Sequence, residues 1–152
     1  SARKVLEANR ALGRRIAIAE SCTGGLIASL FTDVEGCSHA FERGFVTYTD
    51  AAKAEMLGVP TDMLETHGAV SEPVARAMAE GALRFSKAQV ALSVTGFAGE
   101  GAPGDEPGLV HFGCARAGRP TVHRVEHFGD IGRGPVRIEC LRVALELLEE
   151  AL

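Results

Sequence analysis

The stretch Ile16-Ala-Ile-Ala-Glu-Ser-Cys-Thr-Gly-Gly-Leu-Ile-Ala-Ser-Leu30 decides how the rest of the chain is read. Its first four residues form a short apolar run that is typical of a buried strand. A polar cluster, Glu20 to Thr23, and two glycines follow, and a helical segment begins at Leu26. The stretch therefore predicts a strand, a tight turn and a helix.

Ser21 lies in this turn, at the carboxyl end of the predicted strand. In open α/β sheets, ligands collect at the carboxyl ends of strands, and a helix N-terminus there offers unpaired N–H groups and a partial positive charge. Gly24 and Gly25 have no Cβ, so a substrate can approach the backbone closely. Ser21 is thus a candidate nucleophile beside an oxyanion site. The alternative is that Ser21 or Thr23 merely caps the helix.

The remaining apolar spacing predicts an alternation of helices and strands. Helical spacing covers residues 1–12, 51–57, 71–85 and 135–152, and Asp50 is expected to cap the second of these helices. Strand patterns cover residues 41–48, 89–95, 109–116 and 121–128, the last two forming a hairpin. We expect an α/β protein: one three-layer α/β/α domain over residues 1–152, with a mixed, mainly parallel five-stranded sheet.

The composition is typical of a soluble globular protein. Of 152 residues, 46% are hydrophobic and 24% charged, with a net charge of −4. This acidic balance and the scarcity of aromatic residues disfavour a nucleic-acid partner. Four cysteines form no C-x-x-C pair, and there is no signal peptide or membrane-length apolar run. We expect a cytoplasmic protein without nucleic-acid or membrane partners; its small packing residues and apolar helix faces favour a homo-oligomer.

Lys53 and Tyr48 are the candidate partners of Ser21. A serine hydroxyl needs a base, and a lysine serves as one if burial lowers its pKa. Lys53 lies among alanines just after the second predicted strand, although a solvated helix lysine gives the same pattern. The hydroxyl of Tyr48, the only tyrosine, is suited to hydrogen-bond a lysine or a substrate; alternatively, the ring anchors the core.

Substrate contacts are expected from a glycine-rich loop and two arginines. The loop, Thr95 to Asp105, follows a strand and can present N–H groups to a phosphate, unless it is only a surface loop. It lacks a Walker lysine and a clean G-x-G-x-x-G, which disfavours nucleotide hydrolysis and dinucleotide binding. Arg133 and Arg137 are suited to clamp a phosphate or carboxylate, or form a solvated helix face.

Two further groups of residues bear on the chemistry. The histidines at 39, 67, 111, 123 and 127 lack the ligand spacings of common zinc sites, so we expect no metal; His123 and His127 are predicted to share one face of a strand. Cys22 is an alternative nucleophile, because the helix start beside it lowers the pKa of a thiol.

Taken together and in order, these motifs resemble the C-terminal domain family of the competence/damage-inducible protein CinA, which includes stand-alone nicotinamide mononucleotide deamidases of the PncC type. The resemblance covers nearly the whole chain. It is carried by Ala19-Glu-Ser-Cys-Thr-Gly-Gly25, Gly44-Phe-Val-Thr-Tyr-Thr-Asp-Ala-Ala-Lys53, Met56-Leu-Gly-Val59, Gly68-Ala-Val-Ser71, Met78-Ala-Glu-Gly81 and Thr95-Gly-Phe-Ala-Gly99.

The resemblance implies a serine amidohydrolase of pyridine nucleotide salvage that converts nicotinamide mononucleotide to nicotinate mononucleotide and ammonia, with no metal or organic cofactor. Ser21 is the implied nucleophile, Lys53 the base and Tyr48 its polar partner. The implied substrate contacts are the oxyanion and backbone positions Thr23, Gly24 and Gly25, the loop positions Thr95, Gly96 and Gly99, and the phosphate-binding candidates Arg133 and Arg137.

The chain departs from the family pattern at two places where substrate contacts are expected. The loop at 100–107 is acidic and lacks the family's lysine, and Ile131 stands where the family has an arginine, the nearest arginine being Arg133. Two alternatives therefore stay open. One is a non-catalytic nucleotide-binding or regulatory module; the other is an amidase for another small amide.

Overall fold

Helices and strands alternate along the chain, as the apolar spacing predicts. A computed structural model describes residues 1–37 and 39–152. Within this part the helices are α1 (Ala2–Ala11), α2 (Leu26–Thr32), α3 (Asp50–Leu57), α4 (Thr61–His67), α5 (Glu72–Arg84) and α6 (Arg133–Glu150), and the strands are β1 (Ile16–Glu20), β2 (Phe41–Val46), β3 (Val90–Gly96), β4 (Leu109–Arg116) and β5 (Val122–His127). None of these helices has the length and apolarity needed to cross a membrane.

The strands form one sheet in the order β2-β1-β3-β4-β5. β1 pairs in parallel with both β2 and β3, whereas β4 is antiparallel to β3 and to β5. Four of the five strands consequently run in the same direction, with β4 alone reversed. This confirms the predicted mixed, mainly parallel sheet, and the β4–β5 hairpin is the predicted one.

Residue size differs between the two faces of the sheet. Ile16 and Ile18 of β1 belong to the large cluster that packs under α1, α2 and α6. Ala17 and Ala19 belong to a second cluster under α3, α4 and α5. Alternate residues of a strand point to opposite faces, so β1 separates a face of large aliphatic residues from one of small residues.

Small residues on the second face let α5 approach its neighbours very closely. A Cβ on Gly81 of α5 would lie 2.0 Å from the carbonyl oxygen of Leu57, at the end of α3. A Cβ on Gly113 of β4 would lie 2.5 Å from the carbonyl oxygen of Ala75. The backbone of α5 therefore packs directly against the backbone of α3 and of β4, which holds α3 against α5.

The carboxyl ends of the three parallel strands meet at one edge of the sheet. Glu20 is paired with Val46 of β2 and Val94 of β3. Beyond these ends, the Ser21 N–H donates to the Val94 carbonyl (3.0 Å) and the Thr47 N–H donates to the Glu20 carbonyl (2.8 Å). The segments after β1, β2 and β3 are thereby fixed side by side.

Two local predictions were wrong near this edge. The second strand ends at Val46 and not at Tyr48, because the backbone turns there to lead into α3. The cap of α3 is Thr49 rather than Asp50: the Thr49 hydroxyl oxygen accepts from the Ala52 N–H at 3.0 Å. Asp50 is instead the first residue of the helix.

Candidate active site

Ser21 and Lys53 meet at the carboxyl edge of the sheet. The Lys53 Nζ donates to the Ser21 Oγ at 3.1 Å, although 32 positions separate the two residues in sequence. Ser21 is mostly buried, and Lys53 is 1% exposed. A hydroxyl and an amine are thus held at hydrogen-bond distance in a nearly dry setting.

The environment of Lys53 excludes the solvated-lysine alternative. Besides Ser21, its Nζ donates to the carbonyl oxygens of Thr47 (2.9 Å) and Tyr48 (3.3 Å). Burial lowers the pKa of the Lys53 amine below its ordinary value, and the nearby charges of Asp50 and Cys22 oppose this only in part. Because desolvation disfavours the ammonium form, the neutral amine needed to accept a proton becomes accessible at lower pH.

A buried carboxylate that the motif analysis did not single out holds the Ser21 turn in place. Glu20 is 1% exposed, and its Oε1 accepts from the Thr23 hydroxyl (2.6 Å) and the Ile27 N–H (2.9 Å). Its Oε2 accepts from the Ala28 N–H at 3.0 Å. A carboxylate at this position satisfies two otherwise unpaired N–H groups of α2 and suits the positive end of the helix.

Neither Ser21 nor Thr23 caps α2, so the capping alternative is wrong. The cap position is Gly25, which has no side-chain cap bond, and the Glu20 carboxylate takes over that task. The Ser21 hydroxyl is therefore free to engage Lys53. The role of Glu20 could have been inferred from the sequence, because an acidic residue at the end of an otherwise apolar buried strand needs hydrogen-bond partners.

Thr23, Gly24 and Gly25 do not border the cavity beside Ser21, contrary to prediction. Thr23 is fully buried. The Gly24 N–H donates to the Ser21 carbonyl at 3.1 Å and is used by the turn itself. The two glycines serve the backbone: their φ angles are 59° and 102°, in the left-handed region that a side chain disfavours.

A cavity of about 290 Å³ opens beside Ser21 and Lys53. This volume lies near the lower end of small-molecule sites, roughly 300–1,000 Å³. Its lining contains the predicted residues Tyr48, Thr95, Gly96, Gly99 and Arg133, together with Ser21, Cys22, Lys53, Ala69, Val70, Phe97, Ala98, Glu100 and Gly101. The glycine-rich loop after β3 thus forms one wall of the site.

The loop wall offers free backbone donors, whereas its one hydroxyl is occupied. The Thr95 hydroxyl donates to the Ala69 carbonyl at 2.9 Å and is already engaged. A Cβ on Gly96 would lie 2.8 Å from the Leu109 carbonyl oxygen, so β3 needs glycine there to pack on β4. The N–H groups of residues 98–101 donate to no acceptor within the described part of the chain.

Tyr48 contributes to the site in a different way from that predicted. Tyr48 is 68% exposed, which rules out a core anchor, and its hydroxyl makes no hydrogen bond with a described residue. The backbone carbonyl of Tyr48, not the hydroxyl, accepts from Lys53. Tyr48 also lines the cavity.

The two arginines of α6 have separate positions. Arg133 lines the cavity, and a Cβ on Gly99 would lie 3.5 Å from its Nη2. Arg137 lies outside the cavity, contrary to prediction. Its Nη2 donates to the Thr23 carbonyl at 3.0 Å, so Arg137 braces the Ser21 turn against α6.

Cys22 borders the same cavity as Ser21 and is 9% exposed. A hydrogen bond with the Cys140 thiol lowers the pKa of Cys22, outweighing the effect of burial. The pKa of the Cys140 thiol is raised by the same contact and by burial. The start of α2, which was predicted to lower the pKa of Cys22, is not the main cause. The amine of Lys53 donates to the serine oxygen, which favours Ser21 as nucleophile over Cys22.

No histidine lines this cavity. His123 contacts His111, with the His111 Nδ1 and the His123 Nε2 2.9 Å apart, and His127 contacts Glu106. Residues 1–37 and 39–152 hold no group of three or more histidine, cysteine or acidic side chains able to bind a metal ion.

Comparison with known proteins identifies relatives over the whole chain. The family model described as the CinA C-terminal domain matches residues 1–152. The nicotinamide-nucleotide amidohydrolase PncC of Escherichia coli K12 is 46% identical over 148 residues, covering 95% of this chain and 88% of that protein. A crystal structure of the competence/damage-inducible protein CihA from Agrobacterium tumefaciens superposes with a TM-score of 0.94 at 45% identity, covering 98% of this chain and 92% of that one.

Several relatives are much longer than this chain. The CinA-like protein of Anaeromyxobacter sp. strain Fw109-5 is 47% identical over 144 residues, which cover 93% of this chain but 35% of the relative. Across four such relatives the matched region spans 21% to 35% of their length.

Proposed function

Because the chain belongs to the CinA C-terminal domain family, we propose that it hydrolyses the amide of nicotinamide mononucleotide, releasing nicotinate mononucleotide and ammonia for pyridine nucleotide salvage. The observation that carries the proposal is the 3.1 Å contact between the Ser21 Oγ and the Lys53 Nζ beside the cavity. The activity in the name of the Escherichia coli relative supports the choice of substrate.

The first step is attack by the Ser21 Oγ on the carboxamide carbon, while the neutral Lys53 amine takes the hydroxyl proton. Burial of Lys53 supports this role, since it lowers the pKa of the amine. A base works best when its pKa lies near the working pH.

The oxyanion of the tetrahedral intermediate needs preorganised donors. The N–H groups of Ile27, Ala28 and Gly24 are already engaged. The N–H groups of Cys22 and Thr23 donate to no acceptor in the described part of the chain. Of these two residues, Cys22 borders the cavity whereas Thr23 is fully buried, so we assign the Cys22 N–H to the oxyanion, in place of Gly24.

Collapse of the intermediate returns the proton from Lys53 to the departing nitrogen, and ammonia leaves. Water then attacks the acyl-Ser21 ester with Lys53 again as the base, and nicotinate mononucleotide is released. The balance is one amide and one water to one carboxylic acid and one ammonia, so no co-reactant is required.

The 5′-phosphate is assigned to the loop wall and Arg133. The free N–H groups of residues 98–101 and the adjacent guanidinium form a suitable anion site. Glu100 also borders the cavity, so a phosphate must approach the loop on the side that faces Arg133 of α6.

The decisive experiment measures ammonia release from nicotinamide mononucleotide by the native chain and by Ser21→Ala. We expect turnover by the native chain and none by Ser21→Ala, with equal thermal stability; Ser29→Ala, at an exposed serine of α2, serves as the matched control. Absence of turnover by the folded native chain contradicts the proposal.

Substrate identity is tested by comparing nicotinamide mononucleotide with nicotinamide riboside, which lacks the phosphate. The proposal expects kcat/KM to be at least about tenfold higher for the mononucleotide, and Arg133→Gln to erase most of that difference. Equal rates for both compounds would point to the other small amides considered above.

The non-catalytic alternative is favoured by the acidic composition of the loop at 100–107. It predicts calorimetric binding of nicotinamide mononucleotide that is unchanged in Ser21→Ala, alongside no ammonia release by the native chain. Ammonia release that depends on Ser21 excludes it.

A further inference from the structure

A second cavity, of about 200 Å³, lies at the opposite end of the sheet from Ser21. It is lined by Arg14, Gln89, Val90, Arg116, Ala117 and Arg119. Ile16, Val90 and Arg116 are register partners at that end of β1, β3 and β4. β1 spans five residues, which at about 3.3 Å per residue separates the two cavities by roughly 16 Å.

The charge of this cavity is entirely positive. Three of its six lining residues are arginines and none is acidic. Arg14, Arg116 and Arg119 form no ion pair with any carboxylate of the described residues. Because the whole chain carries a net charge of −4, such a concentration of unneutralised guanidinium groups requires an explanation.

Arg14 supplies the second observation. Its Nη1 is buried and has no hydrogen-bond partner among residues 1–37 and 39–152. A buried donor without an acceptor is costly, more so when it is charged. A guanidinium cannot escape this cost by losing its proton.

The neighbouring groups are held in place and offer Arg14 no acceptor. The Arg116 Nη1 donates to the Ala151 carbonyl at 3.0 Å. The side chain of Gln89 is used at both ends, accepting from the Arg15 N–H (2.7 Å) and donating to the Lys87 carbonyl (3.1 Å). The Gln89 carbonyl accepts from the Ala117 N–H at 2.9 Å, which fixes the turn that carries Arg119.

We propose that this cavity is a binding site for a small multivalent phosphate, with Arg14, Arg116 and Arg119 as its ligands. Guanidinium groups bind phosphate oxygens through two parallel N–H bonds, and one cavity edged by three of them suits an anion with more than one charge. The volume equals several waters, at roughly 30 Å³ each, which accommodates a pyrophosphate group. The proposal is independent of the reaction at Ser21.

Titration calorimetry at low ionic strength tests the site, with inorganic pyrophosphate as the probe. The Arg133→Gln background limits binding in the cavity beside Ser21. We expect one pyrophosphate per chain, and at least about tenfold weaker binding when Arg14→Gln and Arg119→Gln are added. The matched control, Arg3→Gln with Arg84→Gln, removes the same charge from two exposed arginines and should leave the affinity unchanged.

Further measurements keep the test open to refutation. Arg119 is exposed, so the single variant Arg119→Gln should fold normally. The proposal requires that this variant also bind pyrophosphate more weakly, even if the double variant folds poorly. Parallel titrations with inorganic phosphate and adenosine diphosphate identify the molecule that supplies the phosphate group. Equal affinity for pyrophosphate and the nucleotide shows that the phosphate groups alone are recognised. Tighter binding of the nucleotide shows a nucleotide site. No pyrophosphate binding, or binding that the double variant retains in full, overturns the proposal.

Discussion

A cationic nitrogen atom is buried at each end of the sheet, but with opposite consequences. At the carboxyl end of β1, burial lowers the pKa of the Lys53 amine, and this amine lies beside the Ser21 hydroxyl. At the other end, Arg14 buries a guanidinium nitrogen that has no partner in the described part of the chain. An amine responds to burial by giving up its charge, whereas a guanidinium keeps it. One end is therefore suited to proton transfer and the other to holding an anion.

The largest expected effect comes from removing the amine. We predict that Lys53→Met lowers kcat for amide hydrolysis by roughly 10³-fold or more, since serine then lacks its base, while circular dichroism shows a folded protein. Lys87→Met, at an exposed lysine, is the matched control. A Lys53→Met variant with near-native turnover would dismiss the amine as base.

The next largest effect tests the carboxylate that holds the turn. We predict that Glu20→Gln lowers kcat about 10- to 100-fold with little change in KM, because the amide nitrogen would face the N–H group of either Ile27 or Ala28 and displace the Ser21 turn. Glu55→Gln, at an exposed glutamate of α3, controls for the loss of charge.

Three outcomes separate positioning from general weakening in the Glu20 experiment. Glu20→Asp, which keeps the charge, should recover part of the lost kcat. The pH profile should keep its shape, because Lys53 remains. If kcat falls only in proportion to the folded fraction, the role of Glu20 is structural alone.

The pH dependence of kcat/KM is a smaller effect, with a change close to tenfold per pH unit below the pKa of Lys53. The neutral amine is the active form, so kcat/KM should rise with pH and level off above the pKa of Lys53. Since burial lowers that pKa, the plateau should begin below pH about 10.4, the ordinary value for lysine. A profile that stays flat into acid, in an assay limited by chemistry, would argue against an amine base.

The smallest expected effect tests the independence of the two ends. We predict that Arg14→Gln with Arg119→Gln changes kcat and KM for amide hydrolysis by less than about twofold, because the strands between the two cavities are unaffected. Steady-state kinetics without added phosphate provide the measurement. A large change would mean that the ends are coupled, and the comparison between them would need revision.

The sequence predicted the architecture well because the apolar spacing is regular. The run Ile16–Ala19, followed by two glycines, specified β1, the turn and α2 correctly, and the alternation of elements specified the layers. The 3.1 Å contact between Ser21 and Lys53 could not be derived from spacing, because the two residues lie 32 positions apart and meet only after the chain has folded. The turn around Ser21 and the alanines around Lys53 made this pair a candidate, and the family resemblance implied the roles of nucleophile and base.

The predicted substrate contacts that lie away from the cavity share a physical cause. Thr23, Gly24 and Arg137 were predicted to contact a substrate, but the Thr23 hydroxyl, the Gly24 N–H and the Arg137 guanidinium make hydrogen bonds within or to the Ser21 turn. The Tyr48 hydroxyl was predicted to bind Lys53, whereas the Tyr48 backbone carbonyl accepts the hydrogen bond from Lys53. Sequence patterns report which polar groups are present, not which backbone groups remain unsatisfied after folding.

The contact between Gly81 and Leu57 limits how this protein can be engineered. Alanine at position 81 improves the helix propensity of α5, and a stability design based on propensity alone would select it. Its methyl group would push on the end of α3, the same short helix that carries Lys53. Such a variant would shift the amine away from the hydroxyl even if it stayed folded, so position 81 should be held fixed in any attempt at thermostabilisation.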